Sequence, residues 1–193
     1  MSELDLGLSI ALGIGLAAAT GLRLFLPMLV VSAAAYAGYL PLSENFAWLA
    51  TLPALILLGV AALVEILAYY IPGLDNLLDT LATPAAFVAG TLVSAAVITD
   101  LPPMVKWAAE IIAGGGIAGL TQSVTTVVRA KSTLMTGTLG NPAVATAELG
   151  GSLIVSLLAL IAPLLTALLI VLMLWLAIRW VRQVSRGGQP TKS

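Results

Sequence analysis

Apolar residues fill this chain in runs too long for one face of a strand or an amphipathic helix, and the breaks between runs define its elements. The first run, residues 6–40, is about 35 residues long where roughly 20 cross a bilayer, so it must break. Gly21, Arg23 and Pro27 mark the place. Gly loosens the helix, Pro withdraws a backbone donor, and an arginine at mid-bilayer costs at least about 2.5 kcal/mol. The run therefore predicts helices over 6–20 and 24–40. Prolines and acidic residues separate the next three, over 46–71, 84–99 and 104–127. Between two of them, residues 73–83 place Leu74, Leu77, Leu78 and Leu81 at helical spacing with Asp75 and Asp79 on the other face, which predicts a short interfacial helix. The final run, 142–182, carries Pro163 at its middle and reads as two helices, 142–161 and 163–182; one long kinked helix, or a half-membrane helix plus one span, is the alternative. The expected fold is an all-α polytopic transmembrane helix bundle of about seven spans, or six if 6–40 is one broken helix. It forms a single domain over 1–183 with a short polar tail, 184–193.

Composition removes most other classes. Of 193 residues 60% are hydrophobic and 9% charged, against roughly 45–50% and about 25% in a soluble domain. A small globule cannot cover that much apolar surface, whereas lipid makes covering it unnecessary. Eight Lys and Arg against nine Asp and Glu, with no basic stripe, give no footprint for nucleic acid. With no Cys and no His the chain has no disulfide, thiol nucleophile, imidazole base or zinc ligand set, so no enzyme and no cofactor are expected.

Orientation follows from the cations, which concentrate in cytoplasmic loops. With the tail RWVRQVSRGGQPTKS inside, seven helices put the N-terminus outside. Arg23, Arg129, Lys131, Arg179, Arg182, Arg186 and Lys192 then fall inside, and Lys106 alone outside. The acidic start (Glu3, Asp5) argues against a cleaved signal. Localisation in a bacterial inner membrane, multi-pass with a cytoplasmic C-terminus, is the expectation. Trp107, Trp175, Trp180, Trp48 and the Tyr69-Tyr70 pair read as interfacial anchors. Two stretches closing on Thr-x-x-Arg, Thr20 to Arg23 and Thr126 to Arg129, are each followed by a proline-bearing helix, a loose three-plus-one-plus-three repeat of the kind some transporters use. Gly114, Gly115, Gly116 and Gly119 offer a face for a neighbouring helix, within the chain or in a homo-oligomer.

In a chain so poor in charge, each ionisable group at membrane depth needs a reason. Glu65 lies about six residues before the end of its span and Glu148 about six into its own, both roughly 9 Å from the cytoplasmic side at 1.5 Å per residue. Arg23, Arg129, Asp75, Asn76, Asp79 and Asn141 fall on that same side. Asp75 and Asp79, four apart, are weak candidates for a metal, with Asn76 and Thr80 as extra oxygens; a wet helix face is the plainer explanation. Asn141-Pro142 reads as a helix cap and first turn whose open amides suit an anion.

Three stretches, TGLRLFLP around Arg23, VEILAYYIPGLDNLLDTLATP from Val64 to Pro84, and TGTLGNPAVATAE from Thr136 to Glu148, resemble a family of small bacterial integral membrane proteins, domain of unknown function 4126. The resemblance covers about residues 7–182 and departs at Thr138, where a second Gly would stand. It implies a helical inner-membrane protein and brings no activity, but Arg23, Glu65, Asp75, Asn76, Asp79, Asn141, Pro142 and Glu148 all lie within its motifs. The first functional expectation is a small transporter or channel with a cytoplasmic-side polar site, proton-linked if the glutamates titrate, for a small polar or ionic substrate. One alternative is a lipid-handling protein in which Arg23 or Arg129 holds a headgroup phosphate. Another is a structural or assembly factor, in which Arg23 pairs with one Glu and Arg129 with the other, purely to fasten helices.

Overall fold

A computed structural model describes residues 3–71, 74–99, 101–137 and 139–186, and among these every regular element is helical. In chain order they are α1 (Glu3–Thr20), α2 (Phe25–Tyr36), a 3₁₀ turn (Glu44–Ala50), α3 (Leu52–Ala68) and α4 (Leu74–Val97), followed by α5 (Pro103–Ala109), a π-helical turn (Glu110–Gly115), α6 (Gly116–Thr136), α7 (Asn141–Ile161) and α8 (Pro163–Arg186). Among the described residues three helices are long and apolar enough to cross a membrane: Leu77–Val97, Met104–Thr136 and Asn141–Ile161. A fourth span results if the 3₁₀ turn and α3, bent by 74°, count as one, while Asp5–Thr20, Phe25–Tyr36 and Pro163–Leu176 are apolar but shorter.

The first run breaks where Gly21 and Arg23 stand, and the last breaks at Ala162, whose non-helical backbone (φ -139°, ψ 67°) separates α7 from α8. Several boundaries differ from expectation: the helix expected over 24–40 ends at Tyr36, and the span expected over 46–71 is the 3₁₀ turn and α3, set at 74° to each other. The interfacial helix and the span after it are one helix, α4, with Pro84 inside it. Pro84 forfeits a single backbone bond, and the face carrying Leu78, Leu81, Ala85 and Leu92 continues past it. The helix expected over 104–127 runs on to Thr136, so Arg129 and Lys131 lie in α6 rather than in a loop. It stops at Gly137, whose φ of +61° is a left-handed conformation that suits glycine. Of the expected tail, residues 187–193 lie outside the described residues.

The central helix is α1, which packs against α4, α7, α8 and the π turn; α3 sits at the periphery, held by α2 and the 3₁₀ turn. Leu16, Val31, Leu49, Val93, Val97 and Ile98 form the main apolar core. Hydrophobic burial does not join helices in lipid, and here serines do part of it: Ser94 Oγ donates to Gly13 O (3.1 Å), Ser152 Oγ to Ala19 O (3.0 Å) and Ser32 Oγ to Leu49 O (2.7 Å). Outward faces such as Ile56, Leu57 and Leu63 on α3 and Leu164, Leu165 and Leu168 on α8 are exposed and apolar, as a lipid-facing surface requires.

Gly114 and Gly115 are used inside the chain, against α4, while Gly116 meets nothing. A methyl on Gly90 would lie 2.8 Å from Gly114 O and also strike Ala118. Gly90→Ala is therefore expected to destabilise by about 1–3 kcal/mol. Gly116→Ala, in open space, should be neutral or gain up to about 1 kcal/mol of helix propensity. Heat unfolding in detergent, followed by tryptophan fluorescence, checks both; equal effects at the two positions would refute the close α4 contact.

Candidate functional site

The carboxylate of Glu65, on the last turn of α3, faces the start of α2. Helix N-termini carry amides without intrahelical acceptors, and α2 begins at Leu24-Phe25 with no side-chain cap of its own. Glu65 supplies the cap from another helix: Oε1 accepts from Leu24 N (2.7 Å) and Oε2 from Phe25 N (3.0 Å). Pro27, two residues on, has no amide to satisfy, so the first turn of α2 suits its sequence.

One residue before that cap, Arg23 is the largest side chain among the described residues to be almost wholly buried, at 1% exposure. Its Nη2 donates to Ala145 O on α7 (2.7 Å) and lies 3.6 Å from Glu148 Oε2. Arg129, reaching from α6, donates Nε to Glu148 Oε1 (3.0 Å) and Nη2 to Glu148 Oε2, and its Nε is 3.7 Å from Asp79 Oδ1 on α4. Both guanidiniums lie over the ring of Tyr69, with centroid distances of 4.1 and 4.4 Å. A buried cation over a ring face is favourable, and one ring here serves two cations.

The expected division, one Glu to each Arg, is thus replaced. Both arginines meet Glu148, while Glu65 binds backbone amides. The two Thr-x-x-Arg stretches also differ in form, since Arg23 lies in the turn after α1 and Arg129 within α6. Their guanidiniums nonetheless arrive at the same ring and the same carboxylate. Asn141 is the first residue of α7 rather than its cap, which is Gly140; its Nδ2 donates to Thr133 Oγ1 on α6 (3.1 Å). The side chains of Asp75 and Asn76 lie outside the described residues. Asp79, the other weak metal candidate, already faces the Arg129 guanidinium, and no group of three acidic residues suited to a metal occurs among the described residues.

Three nitrogens in this cluster remain buried with no hydrogen-bond partner: Nε and Nη1 of Arg23 and Nη1 of Arg129. Leaving a buried donor unmade costs about 1–3 kcal/mol, more when it is charged, so these three donors have capacity for a further acceptor. Beside the cluster, with Tyr69 in its lining, is an apolar cavity of about 460 Å³ between α3 and α4. Ala61, Val64 and Ala68 line it from α3 and Leu78, Leu81 and Ala85 from α4, with Thr20, Glu65, Tyr69 and Gln122 as its polar lining. A second apolar cavity shares Leu24, Phe25, Leu81 and Ala85 with it and continues along α4 to Leu92. From Leu78 to Leu92 the groove follows about 21 Å of helix at 1.5 Å per residue, against roughly 15 Å for one leaflet of a 30 Å hydrocarbon core.

Tyr69 and Glu110 escaped the sequence reading. A tyrosine at the end of an apolar run looks like an interfacial anchor, and only the fold shows two guanidiniums over its ring. Glu110 opens the π turn, buried, with Lys106 Nζ 3.9 Å away. Its signal was available, as an acid inside a span.

The family described as "Domain of unknown function (DUF4126)" matches over residues 10–183. Neither the curated proteins nor the solved structures contain a match to the chain.

Proposed function

We propose that this chain, which belongs to the DUF4126 family, binds a membrane phospholipid in the groove between α3 and α4, with the acyl chain along α4 and the headgroup phosphate at Arg23 and Arg129. The reading includes an orientation. The protein spans a bacterial inner membrane seven times, with the N-terminus outside and the Arg23–Glu148 end facing the cytoplasm. The observation that carries it is the pair of buried guanidiniums with unspent donors beside an apolar groove. A phosphate offers acceptors in the geometry guanidinium recognises, and basic pockets between membrane helices are places where lipid headgroups bind. Arg23 and Arg129 do not themselves line the groove; they lie over the ring of Tyr69, which does, so that ring turns aside for the phosphate to reach them.

Proton-linked transport, the other expectation, draws less support. It needs a carboxylate able to exchange protons, yet both Glu65 oxygens hold amides of α2 and Glu148 is clasped by two arginines.

Native mass spectrometry of protein extracted in mild detergent tests the reading. The parent is expected to retain one phospholipid per chain. Ala85→Trp, which fills the groove where the two cavities meet without touching a charge, should lose it at unchanged thermal midpoint. A parent that carries no lipid, or an Ala85→Trp variant that carries as much as the parent, overturns the proposal.

A further inference from the structure

The charges around the groove narrow the headgroup. Among the described residues, five charged side chains at this end are buried or half-buried: Arg23 and Arg129 against Glu65, Asp79 and Glu148. Of these five, Glu65 lines the groove, while Asp79 and Glu148 face the Arg129 guanidinium. A phospholipid with a net negative headgroup satisfies the arginine donors but sets its extra charge beside the Glu65 carboxylate, away from water, which is expensive. Glu65 differs from the other two acids. It lines the groove, and its oxygens each accept one amide hydrogen, although an ionised carboxylate has about four acceptor sites. Acceptor capacity remains on a carboxylate that lines the groove and caps Leu24, the residue next to the arginine whose donors are unspent.

Resting on the lipid reading above, we infer that the groove selects a zwitterionic phospholipid with a primary ammonium beside its phosphodiester: the phosphate takes the spare donors of Arg23 and Arg129, and the ammonium donates to Glu65. Such a headgroup meets the arginine donors, uses the spare acceptor capacity of Glu65 and adds no net charge. Glu65 then has two duties, capping α2 and setting headgroup preference.

Competition between dioleoyl phosphatidylethanolamine and dioleoyl phosphatidylglycerol at equal mole fraction in mixed micelles, read by native mass spectrometry, tests this. The parent is expected to retain the ethanolamine lipid at least tenfold over the glycerol lipid. Glu65→Gln, which keeps one acceptor for the α2 cap but loses the charge, should bring the ratio near one. If the parent retains the glycerol lipid equally or better, and Ala85→Trp loses both, the headgroup assignment fails while the groove reading stands. If the parent retains neither, the groove reading fails and takes this inference with it. The parent comparison needs no variant to fold, so it decides the preference even if Glu65→Gln is unstable.

Discussion

Glu148→Gln is expected to lower the thermal midpoint of the detergent-solubilised protein by about 6–20 °C, the equivalent of about 3–5 kcal/mol at 2–4 °C per kcal/mol. Glu148 is the one carboxylate shared by Arg23 and Arg129, each at most 2% exposed. A glutamine keeps the shape and removes the charge, so two buried cations lose a common counter-ion. Because three groups are involved, deleting a single pair gives little relief. Arg129→Met with Glu148→Met leaves Arg23 with Ala145 O as its hydrogen-bond acceptor, and should recover only part of the loss. Adding Arg23→Met should recover most of it, since apolar replacements of a whole buried ionic group are often neutral or better. Tryptophan fluorescence on heating reads all three. A Glu148→Gln protein melting within about 2 °C of the parent would mean that the cluster is hydrated rather than sealed.

The second large effect concerns Glu65. Glu65→Ala should cost about 2–4 kcal/mol, because two amide–carboxylate bonds vanish and the first turn of α2 has no substitute cap. Glu65→Gln should cost about half as much, one acceptor oxygen remaining. The change should also be local. In hydrogen exchange the amides of residues 24–28 should open faster in Glu65→Ala while those of mid-α7 keep parental protection. Uniform acceleration across the bundle would show that Glu65 supports the whole fold and not the start of one helix.

Much of this architecture was legible because lipid imposes simple rules. Gly21 and Pro163 stood where runs too long for one span had to divide, and the structure breaks within two residues of both. Arg23, Glu65, Asp79, Arg129, Asn141 and Glu148 could be placed at one end from the asymmetry of Lys and Arg alone, since helices must alternate in direction. What could not be read depends on rotation about each helix axis. Whether Glu65 faces Arg23 or the Leu24 amide is a matter of a few tens of degrees, and sequence periodicity in a uniformly apolar helix does not fix it. Pro84 and Arg129 misled for the opposite reason. A proline and a cation commonly end spans, but α4 tolerates the one and α6 carries the other beyond the length a bilayer needs.

The contact from Arg23 to Ala145 joins residues 122 apart, and the two oxygen partners of Arg23, Ala145 O and Glu148, both lie on α7. At roughly 5–20 residues per second of synthesis, α1 and α2 exist for about 6–24 s before Ala145 is made. During that interval an arginine at the hinge of the first hairpin has no place in the hydrocarbon, and it stays with the headgroups or the insertion machinery. The bundle is therefore built around a component that cannot be seated first, and Arg23 reaches its final burial only after α7 has been delivered.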